Sequence, residues 1–318
     1  MKLILFLPVY NEEENLEELL NKIPRSFVNI DDFSILAIND GSKDDSLKIL
    51  EKHGIKIISN DQNIGLGNIF KQAIDYALKN QADILVTMDS DNQFDPNEIE
   101  KLIQPIIKNK TEVSLGNRFF NKKPVNMPLI KYYGNKLMSH MIGFIANKKF
   151  QDVSCGFRAY SKEVLLNLNL FGQFTYTQET ILDLAFKNKK LLEIPISVQY
   201  FKNRKSFISG NLWKYSVKTL KIIINSLVSF RPLFLFGGIG LRFFIFGLFF
   251  DIFIGYYYLT YGMFSPYKAY AAIGGSLNLL GVILITIGLI LQSLKHIRLN
   301  QEKILYYQKK YLDGNNKK

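Results

Sequence analysis

The sequence predicts an α/β protein: a doubly wound, mostly parallel sheet followed by an amphipathic helix and a two-helix membrane hairpin. Three observations predict it. Nearly continuous apolar runs alternate with helix-start signals through residues 1–205. A basic stretch with helical periodicity follows. Two long apolar stretches then come near the end of the chain, and the second, Ala271 to Leu294, holds no charged residue in 24 positions.

The strands are expected at Leu3–Leu7, Ser34–Ile38, Ile55–Ser59, Ile84–Met88 and Glu112–Leu115, each apolar on both faces, as in a sheet covered by helices on both sides. Leu3–Leu7 is not read as a signal peptide, because Pro8 and the Asn11–Glu14 run follow at once with no small-residue cleavage site. Helix starts fill the gaps. Ser42 with Asp45 resembles a capping box, and Asp95-Pro96 with Glu98 supplies an N-cap, a proline at the first helical position and an acid at the third. Strand–helix alternation implies right-handed crossovers and a parallel sheet.

Residues 206–231 form the expected amphipathic segment. From Asn211 to Phe230, Trp213, Val217, Leu220, Ile224 and Leu227 share one helical face, and Lys214, Lys218 and Lys221 form a parallel basic row. Residues 232–294 hold two spans, Pro232–Tyr261 and Ala271–Leu294, each long enough at 1.5 Å per residue to cross about 30 Å of hydrocarbon. Residues 295–318 are expected as a basic cytoplasmic tail. Arg242 and Asp251 stand inside the first span, where charge is expensive. Arg242 can snorkel to the headgroups, and Asp251 can pair with another helix or with a neighbouring protomer in a homo-oligomer.

The net charge of +12 invites a nucleic-acid reading, but its placement argues against one. Residues 1–201 carry 24 basic and 25 acidic groups, whereas 202–231 carry seven basic and no acidic groups and 295–318 carry seven and two. The excess therefore flanks the spans, so membrane lipids and not nucleic acid are the expected polyanion. The linker Gly262–Tyr270 holds only Lys268. The positive-inside rule then places residues 1–205 and both termini in the cytoplasm, with the protein integral to the plasma membrane. The single cysteine, Cys155, excludes an internal disulfide and has no Cys/His partners suited to zinc.

In a parallel sheet the ligand crevice lies at the carboxyl ends of the strands. Three expected strands end in polar residues: Pro8-Val9-Tyr10-Asn11-Glu12, Asn39-Asp40-Gly41-Ser42 and Asp89-Ser90-Asp91-Asn92-Gln93. Acids gathered at one rim repel unless a cation sits between them. Asp89, Asp91 and Gln93 alternate and offer hard oxygen ligands, which suits Mg²⁺ or Mn²⁺ carrying a diphosphate. Asp95 reads instead as a helix cap.

On these motifs residues 3–200 resemble glycosyltransferase family 2, the inverting enzymes of GT-A fold. The resemblance implies that Pro8, Tyr10, Asn11 and Glu12 hold the nucleotide base, that Asp40 contacts base and ribose, and that Asp89 and Asp91 hold the metal diphosphate of a UDP- or GDP-sugar. Gly116-Asn117-Arg118-Phe119, Asp152-Val153-Ser154-Cys155-Gly156-Phe157-Arg158, Gln178-Glu179-Thr180 and Glu193-Ile194-Pro195 look like the polyprenyl-phosphate branch, in which several members carry a two-helix anchor. The sequence departs from that branch at Lys205–Ser209, where a Gly-Lys-Ser-Lys type stretch is usual, and at Lys131, where arginine is common.

The chemistry agrees with a lipid-phosphate acceptor. A phosphomonoester with a second pKa near 6 is already anionic at neutral pH, so attack on an anomeric carbon needs no general base. His53, His140 and His296 all lie outside the motifs. Arg118 is the first candidate to grip the acceptor phosphate and Lys131 the second, since a planar fork orients phosphate better than a point charge. Asp152, Arg158 and Glu179 contact sugar hydroxyls or brace loops. Two other readings remain open at this stage: a family 2 enzyme acting on another lipid or a cell-envelope glycan, and a catalytically silent membrane scaffold.

Overall fold

The computed structural model describes residues 1–120, 123–169, 176–200, 221 and 223–315. Two compact units divide them: Met1–Tyr215 with Glu302–Lys318, and Ser216–Gln301. The first unit is built on β1 (Lys2–Val9), α1 (Glu13–Lys22), β2 (Asp32–Asp40), α2 (Ser46–Lys52), β3 (Lys56–Asn60), α3 (Leu66–Lys79), β4 (Ile84–Thr87), α4 (Ile99–Ile107), β5 (Val113–Asn117), α5 (Leu129–Ala146), β6 (Arg158–Ser161), α6 (Lys162–Asn167), α7 (Tyr176–Phe186) and β7 (Leu191–Pro195).

All five expected strands are present, and they join a seven-stranded sheet in the order β3-β2-β1-β4-β6-β5-β7. β1 pairs in parallel with β2 and β4, β2 with β3, and β5 with β7. β6, which the sequence reading did not anticipate, runs antiparallel between β4 and β5. Strand β1 explains the layering. Leu3, Leu5, Leu7 and Val9 join Leu16 and Leu19 of α1 and Leu102 and Ile103 of α4 in one core cluster. Phe6 points the other way and stacks on Phe70 of α3, which in turn meets Tyr176 of α7 with ring centroids 4.3 Å apart. Both faces of β1 are thus covered by helices, which is why its residues read as an unbroken apolar run.

Two expected caps fare differently. Asp95 accepts the Asn97 N–H at 3.0 Å, with Pro96 opening a short 3₁₀ turn, as expected. Ser42 caps nothing: α2 starts at Ser46, and the Ser42 hydroxyl instead accepts the Asn11 N–H at 3.1 Å. The strand-end loop needs that hydroxyl to hold its neighbour.

In the second unit residues 223–230 are helical (α8); of the expected amphipathic segment, 206–220 and 222 lie outside the described residues. A π-helical turn, Leu233–Gly237, leads into α9 (Gly238–Tyr261), and α10 runs over Lys268–Asn315. Leu233–Tyr261 and Lys268–Gly314 are long and apolar enough to cross a membrane. They approach closely at small residues: a Cβ on Gly240 would lie 2.7 Å from the Gly281 carbonyl oxygen, so only hydrogen fits. Asn278 of α10 donates to Asp251 of α9, which gives the intramembrane carboxylate a helix partner within the same chain. Arg242 reaches one turn back to the Gly238 carbonyl at 3.4 Å.

The segment expected as a tail is the end of α10. Residues 302–313 pack on the sheet domain, where Glu302 meets Lys187 at 2.7 Å, Asp313 meets Lys162 at 2.7 Å and the Tyr306 hydroxyl donates to Glu163 at 2.7 Å. These carboxylates make the tail's acids contacts and not merely interruptions of a basic run.

Candidate active site

A cavity of about 370 Å³ opens at the carboxyl ends of β1, β2 and β4, where the strand order reverses between β1 and β4. Its lining includes Pro8, Tyr10, Asn11, Glu12, Asp40, Asp89, Ser90 and Asp91. Seven of these are expected site residues drawn from three separate strand ends. Asn63, Leu66 and Ile69 complete the wall from the start of α3; no motif marked them.

Local hydrogen bonds explain why the three loops converge. Asn11, with φ of 54°, accepts the Lys43 N–H at 2.8 Å, and the Glu12 N–H reaches the Ser46 hydroxyl at 2.9 Å. The loops after β1 and β2 are thereby stitched together. Gly41, at φ of 74°, lets that second loop lie against the backbone of Gln62, where a Cβ would stand 2.6 Å from the carbonyl carbon. Asp40 is buried and accepts the N–H groups of Ile64 and Gly65 at 2.8 and 3.1 Å, so it fixes the β3–α3 loop while lining the cavity.

The Ser90 hydroxyl donates to the Pro8 carbonyl at 2.7 Å and ties the end of β4 to the end of β1. Half-buried Asp89 and Asp91 flank it. Burial, then the neighbouring Asp91 charge, push the Asp89 carboxyl up to about 7, against the opposing pull of Arg118. Beneath Asp89 lies Gly156, whose added Cβ would fall 2.8 Å from Oδ1 and 2.9 Å from Oδ2. The Gly156 carbonyl accepts the Thr87 hydroxyl at 2.6 Å, which locks this loop to β4.

The remaining expected site residues lie outside that lining. The Gln93 N–H donates to Asp91 Oδ1 at 3.2 Å and its carbonyl accepts from the Gln199 N–H, so it shapes the loop that carries Asp91. Arg118, expected to face a phosphate, closes its fork on Asp152: Nε to Oδ2 is 2.7 Å and Nη2 to Oδ1 is 2.8 Å. Its Nη1 donates to the Tyr200 hydroxyl at 3.2 Å, and Lys131 lies over the same ring, 4.8 Å from the centroid. Tyr200 therefore joins the two cations, a link that no sequence spacing indicates. Arg158 is fully buried and donates to the carbonyls of Cys155, Thr177 and Val153 and to the Thr180 hydroxyl, all at 2.7 to 2.9 Å. It braces the 153–158 loop against α7. Glu193 of β7 accepts the N–H groups of Gln151 and Asp152 and supports the same loop. Glu179 lies in the first turn of α7.

Among the described residues no three His, Cys, Asp or Glu side chains are arranged to hold a metal ion by themselves. Asp89 and Asp91 are nevertheless two mutually repelling carboxylates, which fits a hard cation that takes its other ligands from a diphosphate and water.

Residues 4–168 match the model of glycosyl transferase family 2. A UDP-N-acetylglucosamine–dolichyl-phosphate N-acetylglucosaminyltransferase of Methanococcus voltae is 34% identical over 217 residues, which cover 62% of this chain and 85% of that protein. A dolichol-phosphate mannosyltransferase of Pyrococcus furiosus is 32% identical over 214 residues, 62% of this chain and 56% of the relative. Among solved structures, glucosyl-3-phosphoglycerate synthase from Mycobacterium tuberculosis, in complex with Mn²⁺, UDP and glucosyl-3-phosphoglycerate, superposes with a TM-score of 0.55. That alignment covers 72% of this chain and 79% of the synthase at 17% identity, a likeness of fold. With the family model spanning more than half of its length and the expected motifs meeting in one crevice, the chain belongs to glycosyl transferase family 2.

Proposed function

We propose that this protein transfers a sugar, with inversion, from a nucleotide-sugar donor to a polyprenyl phosphate at the cytoplasmic face of a membrane. The observation that carries the reading is the meeting of Asp89 and Asp91 with the ends of β1 and β2 in one cavity whose lining includes no histidine. The names of the two relatives, both acting on a dolichyl phosphate, support the acceptor class.

Donor binding falls to Pro8, Tyr10, Asn11, Glu12 and Asp40 at the base and ribose, with UDP favoured by the Methanococcus relative's name and GDP left to assay. Asp89 and Asp91 hold Mg²⁺ or Mn²⁺, which supplies charge neutralisation for the departing nucleoside diphosphate. The acceptor phosphate is anionic without help from a protein base. One of its oxygens, placed in line behind the anomeric carbon, attacks from the face opposite the leaving group, so one displacement inverts the centre.

Arg118 stands on the acceptor side as a cation already oriented by Asp152. Three of its five N–H donors are engaged by Asp152 and Tyr200. We assign it to phosphate attraction together with Lys131, its geometry fixed in advance by the ion pair. Asp152, Arg158 and Glu193 act beneath it as loop supports.

The two long apolar helices serve as a membrane hairpin in this reading. Packing of residues 302–313 on the sheet domain supports a common side for the C-terminus and the catalytic crevice, as an even number of crossings requires. The test is a purified-enzyme assay with short-chain polyprenyl phosphate, a panel of UDP- and GDP-sugars, and Mn²⁺ or Mg²⁺. A lipid-linked sugar monophosphate of inverted configuration is the expected product; transfer to a glycan in preference to the lipid would overturn the assignment.

A further inference from the structure

The end of α10 turns its polar side to the domain and leaves its apolar side uncovered. Glu302, Tyr306, Lys309 and Asp313 make contacts with α6, with Asn169 just after it and with Lys187 at the end of α7. At 3.6 residues per turn these four share an arc of about 60°. The opposite side carries Ile304, Tyr307 and Tyr311, which are 58, 57 and 71% exposed. A helix docked on a water-soluble domain ordinarily does the reverse, so an outward apolar side marks an interaction surface.

Spacing identifies what covers it. Ile283, Ile290, Ile297, Ile304 and Tyr311 recur every seven residues along α10. Ile287, Leu294, Gln301 and Gln308 each follow one of them by four, so the stripe alternates by four and three, the period of a helix packed along a second helix. All of these residues are exposed. Gly274 and Gly281, which meet α9, lie on the other side of the helix. Lipid accounts for the exposure only inside the span. Ile304 and Tyr311 stand about 15 and 25 Å further along the helix than Leu294, whereas headgroups add only about 5 to 7 Å on each side of the hydrocarbon. Apolar side chains beyond the headgroups call for protein. No residue of the stripe is charged, so a second α10 sets no like charges against each other, and Lys303 and Lys310 stand about 100 to 120° round the helix from Ile304.

We infer that this face of α10 is the interface with a second copy of the chain, the two helices lying parallel and supercoiled from the bilayer out to Tyr311. The parallel sense rests on the hairpin reading, because copies crossing one membrane run in the same direction. Identical residues then meet across a symmetry axis. Isoleucine against isoleucine closes the apolar layers. Gln301 and Gln308 each face their own counterpart, where paired amides exchange hydrogen bonds and hold the register, as a polar residue at such a position does. A strict seven-residue repeat bends the pair into a left-handed supercoil. The contacts that α10 makes with α9, α6 and Lys187 use its other side and are kept.

The test uses the full chain in phosphatidylcholine vesicles. Cys155 is buried, so an added cysteine reports alone. Ile304→Cys and Tyr311→Cys should each give a disulfide-linked dimer under mild oxidation, since that bond forms only where the two Cα atoms come within about 7 Å. Lys303→Cys and Lys310→Cys, on the flank of the helix, are the controls and should give little or none. Equal yields at all four positions would mean random collision and would overturn the proposal, as would no dimer at 304 and 311. Light scattering in detergent gives a second reading that needs no cysteine. The parent should have the mass of at least two copies, and Ile304→Glu, which sets like charges against each other on an exposed face, should reduce it to one. A parent of one copy would mean that the same chain or lipid covers the face; that result, or an unchanged mass in the variant, would overturn the interface. An assembled mass without disulfides at 304 and 311 would overturn the parallel arrangement. Failure of the hairpin itself would appear in reporter topology and leave the mass unchanged, so the two readings fail separately.

Discussion

Arg118 and Asp152, 34 residues apart, form a two-pronged ion pair in which the side chains retain only 8% and 0% of their exposure. Breaking one partner of such a pair leaves the other charge buried alone, at a cost of about 3–5 kcal/mol. Arg118→Ala should therefore lower the thermal midpoint as well as the rate, and Asp152→Ala should lower it comparably. Arg118→Lys, which keeps the charge and loses the fork, should recover part of both. Calorimetry beside acceptor kinetics separates the two effects. Arg118→Ala with unchanged stability and a raised acceptor KM would assign the guanidinium to phosphate alone.

Asp91 is half-buried at a rim, so Asp91→Ala should leave the fold intact while removing one of the two carboxylates proposed to hold the metal. Loss of several kcal/mol of charge stabilisation corresponds to a rate reduction on the order of a thousandfold. Chelation by EDTA should act alike, with Mn²⁺ restoring the parent and not the variant. Full turnover without metal would contradict the metal reading.

The Asp89 carboxyl, raised to about 7 by burial and by Asp91, makes a signed pH prediction. Below about 7 the metal-free protein holds a proton there that an unfolded chain releases near its ordinary value. This group therefore favours the metal-free fold increasingly as pH falls from about 7 toward 4. Metal needs the charged form, so Mn²⁺ affinity should fall as pH drops through the same range, with proton release on binding. Asp91→Asn should move the midpoint down toward the ordinary carboxylate range. Isothermal titration in buffers of different ionisation enthalpy checks both.

Gly156 permits Asp89 its position, since an added Cβ would meet both carboxylate oxygens inside 3.0 Å. Gly156→Ala should weaken Mn²⁺ binding, with nucleoside binding at the proposed Tyr10 and Asn11 end of the cavity less affected. Equal losses of metal and of nucleoside would indicate collapse of the whole crevice.

Topology is open to a direct check. A reporter after Lys318 should lie on the catalytic side, because residues 302–313 pack on the sheet domain, and one at Ser265 should lie on the other. Protease protection of both from one side would show that the helices do not form a transmembrane hairpin.

β1, β2 and β4 were legible because their central residues form buried apolar runs, and β3, at the sheet edge, from the shorter run Ile55–Ile58. β6 was not, since its first residue is Arg158, whose burial is made tolerable by two acceptors on the 153–155 loop and two on α7 that no spacing identifies. β7 hides for a similar reason: Glu193 interrupts it to hold the Gln151 and Asp152 N–H groups. The acids of the crevice were readable as strand-end residues. The partner of Arg118 was not, because Asp152 reaches it only through the return of β6 across the sheet. Ser42 misled because a capping motif and a loop-to-loop hydrogen bond use the same hydroxyl chemistry.

The central claim is that the acceptor is a phosphomonoester carried on an isoprenoid. It is tested most directly by giving the purified full-length enzyme a nucleotide sugar and Mn²⁺ with either a polyprenyl phosphate or the alcohol of equal length. The cavity lining includes no histidine and its carboxylates Asp89 and Asp91 are assigned to the metal, whereas the phosphate arrives already charged and needs no base. The phosphate should be glycosylated and the alcohol left untouched; comparable transfer to the alcohol would contradict the account.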